Sequence, residues 1–341
     1  MARHVHLVGS IGLDSVEDVF TAAGKFLKPY LLRCPDGEVA GRRMWIGYQY
    51  PVLRSNRFLT VDETRLLHGA GMCAMRLAAG SKPEDVHFGA LGYAREARLS
   101  HQDFLKSREA GQLQSTTRFQ VCLPTPFAVI GAVVVPQDVP KVLPSYTAAM
   151  LREVDRICAA IPHRDLAVQW DVCIEMVMWD GRYSQMPGFP GMKEAFIAAF
   201  QELANAVPGD VELGFHLCYG DLDAKHFVEP LDLGKAVELA NLIVANLKRP
   251  IAWIHMPVPR DRDDDAYFLP LRDLKISPET ELFLGLVHDS DGAEGARRRI
   301  AAASKVRPAF GIATECGMAR ARTKELVLKL LSIHAEAALD K

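Results

Sequence analysis

Charge of one sign is what this chain lacks first. Its 341 residues carry 40 Lys and Arg against 42 Asp and Glu, a formal net charge of −2. So even a balance gives no electrostatic footprint for nucleic acid or an anionic membrane as partner. Long apolar runs are missing too, since no stretch approaches the ~18–20 residues that a membrane-crossing helix needs. The opening MARHVHLVGS runs straight into a strand-like segment and lacks the charged-then-apolar order of a secretory signal. Cysteine is sparse and irregular. Seven cysteines, at 34, 73, 122, 158, 173, 218 and 316, are an odd number without regular spacing. They argue against a disulfide framework and for a reducing compartment, so a cytoplasmic protein is expected. No repeat, low-complexity tract or linker divides the chain. One domain over residues 1–341 is expected, with a homo-oligomer left open.

What is present is an alternation. Short apolar or β-branched runs bounded by Gly, Pro or polar residues recur at 4–10, 30–38, 118–124, 166–172, 211–218, 251–256, 282–288 and 309–316. Between them, apolar residues at helical spacing predict helices over 15–27, 145–161, 192–207, 233–247, 292–306 and 323–339, with 62–78 read as another. Strand–helix alternation implies parallel pairing through right-handed crossovers. Near-continuous apolar strands of this kind fit an α/β fold of the (β/α)8 TIM-barrel type better than an open sheet. The segment 39–117 exceeds one helix and reads as an insertion between strands 2 and 3.

Active sites of such barrels lie at the C-terminal ends of the strands. The reactive residues of this chain gather there: Ser10, Asp36 with Glu38, Asp171 with Glu175, His216 with Cys218, His255, His288 and Cys316. Side chains two apart on a strand share a face, so His216 and Cys218 can bite one ion. His255 and Cys316 would complete the set, and mixed Cys/His ligation suits zinc. Taken alone, GFHLCYGD (214–221) reads as core, because free cysteine is among the most buried residue types. The other five cysteines lack such partners and read as structural.

These motifs resemble, in order along nearly the whole chain, the C-terminal catalytic barrel of cobalamin-independent methionine synthase. That family is similar to uroporphyrinogen decarboxylase and the epoxyalkane:coenzyme M transferases. LVGSIG is similar to the family's opening Ile-Gly-Ser strand, which implies that Gly9 and Ser10 line the substrate site. PDGEVAGRR looks like the segment whose acidic residue meets a substrate amine, which Glu38 matches. VQWDVCIE stands at the family's Gln-x-Asp-Glu-Pro strand end, so Asp171 matches its substrate aspartate. HLCYGD and ATECGMARAR resemble the zinc-binding segments, which implies His216, Cys218 and Cys316 as ligands. The chain departs from the pattern where the family has a zinc-binding glutamate, for His255 stands there. Asp-Glu-Pro is absent too, and Cys173 and Glu175 follow Asp171 instead.

The resemblance implies a Zn2+-dependent methyl or alkyl transferase acting on a small-molecule thiol and an alkyl donor. His288 and Asp171 are its expected catalytic residues, His288 as general acid. Gly9, Ser10, Asp36, Glu38, Asp171 and Glu175 are its expected substrate contacts. The Met- and aromatic-rich stretch 176–192 suggests a bulkier or more apolar substrate than an amino acid, or else plain packing. PRDRDDDAYFLPL (259–271) reads as a solvated loop from which Arg260 or Tyr267 could reach a substrate. Two other chemistries stay open: a zinc hydrolase or lyase acting on an ester or C–C bond, and a metal-free enzyme resembling uroporphyrinogen decarboxylase.

Overall fold

The computed structural model describes residues 2–67 and 71–339. Its strands are β1 (Arg33–Pro35), β2 (Leu59–Leu66), β3 (Cys73–Leu77), β4 (Arg118–Pro124) and β5 (Leu166–Val172). After them come β6 (Glu212–Leu217), β7 (Trp253–Pro257), β8 (Glu281–Val287) and β9 (Gly311–Thr314). Seven of them form one parallel sheet in the order β1-β4-β5-β6-β7-β8-β9. The sheet is curled, because Val5 bridges both of its edges, pairing with Leu31 just before β1 and with Ile312 of β9. The first expected strand therefore exists as isolated bridges rather than a ladder. Two backbone bonds hold it: Val5 N–H to Tyr30 O at 3.0 Å and His6 N–H to Ile312 O at 2.9 Å.

Helices follow the strands much as the apolar spacing predicts, at Val16–Leu27, Val139–Ala160, Met192–Asn205, Gly234–Asn246, Gly292–Ser304 and Lys324–Ala338. The hydroxyls of Ser15 and Thr323 cap two of them by accepting from the amides of Asp18 and Leu326. One cluster of buried apolar residues runs from Val5 to Ala338.

The insertion differs from expectation. Residues 59–77 form an antiparallel pair, β2 against β3, where a helix over 62–78 was predicted; 68–70 lie outside the described residues. Thr60, Val61 and Thr64 favour the pleated backbone through their β-branched side chains. Leu59 meets Leu77 and Val61 meets Met75 across the pair. A helix over Tyr93–Glu109 then leads back to the sheet.

Register places the polar side chains. Asp171 pairs with His216 and His216 with His255, so parallel neighbours β5, β6 and β7 carry these three side by side. One level below, Gln169, Gly214 and Trp253 align in the same way. Trp253 is fully buried and fills the space over Gly214, where an added methyl would run into its indole ring. At the N-terminal end, Arg33 stacks on Trp253, 4.3 Å from the ring centre, and pairs with Glu212 and Glu281 at 2.5 and 2.9 Å. Gly214→Ala is therefore expected to cost about 1–3 kcal/mol of stability by overpacking. Urea unfolding measures this, and a midpoint equal to wild type would contradict the packing described.

Candidate metal centre

His216 and Cys218 leave the end of β6, and Cys316 lies two residues past β9. Two contacts draw the second segment inward. Thr314 Oγ1 donates to the Cys316 carbonyl at 2.7 Å, and Met318 N–H donates to the Ser10 carbonyl at 2.6 Å. Gly317 packs against the Ser10 hydroxyl so closely that a side chain there would collide with it. One ligand atom each from His216, Cys218 and Cys316 then lies within 4.8 Å of the others, all three residues buried. The thiols are 3.5 Å apart, and Cys316 Sγ is 3.7 Å from His216 Nε2.

A chain of hydrogen bonds decides which imidazole nitrogen is available. His255 Nε2 lies 3.0 Å from the Thr314 carbonyl, which can only accept, so this nitrogen carries a proton. Burial drives the His255 pKa down to about 3, so the ring is neutral and its Nδ1 accepts. His216 Nδ1, 2.7 Å away, must be the donor. The lone pair of His216 then sits on Nε2, the nitrogen that faces Cys316. Burial and then the neighbouring His255 hold His216 well below the usual imidazole range, again in the neutral form a metal requires. Both nitrogens of His255 are thereby engaged, so the expected fourth ligand is corrected to a support of the first.

In the absence of a cation the two thiols are held protonated. Hydrogen bonding with Cys173 and burial raise Cys218, while hydrogen bonding with Cys218 and burial raise Cys316. Two buried soft donors and one aimed imidazole lone pair fit a borderline-soft, tetrahedral ion with its fourth position open. These residues could hold a metal ion.

Beside them opens a cleft of about 380 Å³, counting the solvent at its mouth. Gly9, Ser10, Glu38 and Asp171 line it, as do His216, Cys218 and Cys316. Asp171 accepts from Gln169 Nε2 at 2.8 Å and from the Trp45 indole N–H at 3.2 Å. Burial, and then the Glu38 carboxylate, raise its pKa well above the usual range. Burial pushes Glu38 up to about 7 despite Arg42.

Besides His255, three expected catalytic or substrate residues do not line the cleft. Asp36 is held by Arg42 in a two-point pair, at 2.8 and 3.2 Å, and also accepts the Glu38 amide at 3.0 Å. It shapes the turn that presents Glu38. Glu175 is buried behind the site, where Thr125 donates to it. His288 donates to the Val258 carbonyl at 2.9 Å, and burial, then Arg299, lower its pKa to about 3. A ring that stays neutral near pH 7, its one N–H committed to a carbonyl, is a poor general acid. Of the charged loop, Tyr267 is core, bonded to the Pro257 carbonyl at 3.2 Å, and Arg260 is exposed. Met176 and Met178 of the 176–192 stretch are buried in the apolar cluster and do not line the cleft.

Among the polar and aromatic cleft residues, Trp45, Asp221 and Arg320 escaped the sequence reading, and Cys173, read there as structural, lines the cleft as well. Asp221 and Arg320 sat inside the motif segments, three residues after Cys218 and four after Cys316. Arg320 Nη2 reaches Cys316 Sγ at 3.7 Å and the Asp221 carboxylate at 3.4 Å, and Arg322 shares that carboxylate at 3.2 Å. Trp45 comes from the insertion, where nothing in the local pattern marked it.

In fold the chain is similar to a B12-independent methionine synthase from Shewanella sp. W3-18-1 solved in complex with selenomethionine. The TM-score is 0.62 at 14% identity, over 98% of this chain and 97% of that one. It is likewise similar to a protein given as a vitamin-B12 independent methionine synthase from Listeria monocytogenes, with TM-score 0.58, 14% identity and coverage of 97% and 95%. No protein-family model and no curated protein matches the sequence. At such identities the likeness speaks for the fold.

Co2+ added to the protein is expected to give the absorption band of thiolate-to-metal charge transfer, and Cys218→Ser and Cys316→Ser each to weaken it. Spectra of both variants identical to wild type would remove these thiols from the site.

Proposed function

We propose that the chain is a zinc-dependent transferase that moves an alkyl group, a methyl group above all, onto a small-molecule thiol. We read its architecture as a (β/α)8 barrel in one domain, the Val5 bridges standing for the eighth strand. The observation that carries the reading is the buried set of one aimed imidazole and two thiols opening on a cleft at the strand ends. Its similarity in fold to proteins described as methionine synthases supports the same reading.

When bound, zinc would let a coordinated thiol ionise near neutral pH, and thiolate is the nucleophilic form. His216, Cys218 and Cys316 would hold it. The remaining steps belong to the chain. His255 fixes His216 in the tautomer that turns Nε2 toward the thiols. Arg320 lies along Cys316 and favours its charged form. Asp171 is held in place by Gln169 and Trp45 and presents a carboxyl oxygen to the polar end of a substrate, together with Glu38 and Ser10. Apart from Glu38 and Asp171, no acid–base group of the expected set faces the cleft without also belonging to the metal set.

A competing chemistry, zinc-assisted hydrolysis of an ester, needs no thiol. Turnover of a methyl donor by the zinc-loaded protein is therefore expected to require added thiol and to release a methyl thioether. Equal turnover in thiol-free buffer would overturn the transferase reading.

A further inference from the structure

Of the seven free cysteines, three line the metal cleft, and the ligand set takes two of them. Cys173 is the third. It is buried and stands one residue past the end of β5. Neither metal binding nor substrate contact uses its sulfur.

The sheet sets Cys173 beside Cys218. Val172 pairs with Leu217 in the parallel ladder of β5 and β6, so the next residues along the two strands are Cys173 and Cys218. The ladder continues through that step, since the Cys218 amide donates to the Val172 carbonyl at 3.0 Å. Neighbouring strands run ~4.7–4.9 Å apart, which lies inside the ~4.4–6.8 Å that a disulfide spans between its Cα atoms. Hydrogen bonding with Cys173 is also the largest influence on the Cys218 thiol. A bridge between these register neighbours leaves the ladder where it is. Cys316 meets Cys218 too, sulfur to sulfur at 3.5 Å, but it comes from beyond β9, three strands away in the sheet. Closing that gap to the ~2.05 Å of an S–S bond would draw together two segments that share no ladder.

One sulfur cannot serve both purposes. A metal takes cysteine as thiolate, and Cys218 bonded to Cys173 has no thiolate to offer.

We propose that Cys173 and Cys218 form a reversible disulfide that displaces the metal, with hydrogen peroxide as the oxidant. Cys173 is then a redox-modification site built against the ligand set. The proposal rests on the metal centre and is independent of the group transferred. Its electrons balance with one peroxide. The O–O bond breaks as one oxygen passes to a sulfur of the pair, giving a sulfenic acid and a first water. The other sulfur attacks the sulfenic sulfur, the S–O bond breaks, and the hydroxyl leaves with a proton as a second water. Two thiols are oxidised to one disulfide, and the peroxide is reduced to water. A small thiol reverses the bridge by exchange. Trapping Cys218 in this way stops its oxidation short of the irreversible sulfinic acid. Disulfides in reducing compartments are usually transient ones of this kind.

Zinc-loaded protein treated with hydrogen peroxide tests the assignment, with zinc release followed by a chelating dye and the product alkylated and mapped as peptides. The expected product links Cys173 to Cys218, leaves Cys316 open to alkylation and has lost its zinc. Dithiothreitol and fresh zinc are expected to restore the metal. In zinc-loaded Cys173→Ala the metal recovered in this way is expected to fall about tenfold, since oxidation of Cys218 then runs on to the sulfinic acid. A Cys218–Cys316 link as the main product, no link through Cys173, or full recovery in Cys173→Ala would overturn the assignment. If that variant holds no zinc, the peptide map of the wild-type protein decides alone. The failures are separable. A wild-type protein that takes up no zinc sinks the metal centre, while the map of its oxidised thiols still decides the pair. Thiol-independent turnover sinks the transferase reading and leaves the disulfide standing.

Discussion

One proton position governs the centre. Because the Thr314 carbonyl can only accept, His255 must donate from Nε2, and the acceptor left on its Nδ1 forces His216 to donate from Nδ1. Only then does an imidazole lone pair face Cys316 and Cys218. A backbone carbonyl on the last strand thus sets the ligand chemistry of a side chain three strands of the curled sheet away. Supports of this kind, though they never touch the metal, typically alter affinity by ~10–100-fold.

The same logic extends down the interior. His6 Nε2 reaches the Gln169 side-chain oxygen at 2.8 Å, Trp253 donates to that oxygen at 3.2 Å, and Gln169 in turn donates to Asp171. Buried polar groups left unpaired cost about 1–3 kcal/mol each, so such a column is tolerable only when its members satisfy one another. It stands inside the curled sheet, where apolar side chains usually pack. The arrangement gives up apolar packing in order to hold Asp171 and His216 at fixed positions on the strand ends.

Much of this was legible in the sequence, for identifiable reasons. Strands β4 and β5 fall where their apolar runs predict, because buried parallel strands are continuous in hydrophobicity. Cys316 and His216 could be paired because parallel strands bring their C-terminal ends to one side. Residues 59–77 misled because Leu, Met and Ala at near-helical intervals outweighed Thr and Val, and tertiary pairing decided the outcome. His255 and His288 show a different limit. Their addresses were right, but which atom a ring offers depends on carbonyls of Thr314 and Val258, which no side-chain motif encodes. Asp36 was lost to Arg42 in the same way, through a partner six residues on. Trp45 could not be found at all, since it enters from the insertion and owes its orientation to Asp171.

The central claim, that His216, Cys218 and Cys316 form a three-residue metal site supported by His255, is tested most directly by X-ray absorption on the zinc-loaded protein. The account predicts a first shell with two sulfurs and one imidazole nitrogen, unchanged in composition when His255 is replaced by leucine. Two imidazoles in the wild-type shell, or a shell without sulfur, would contradict it.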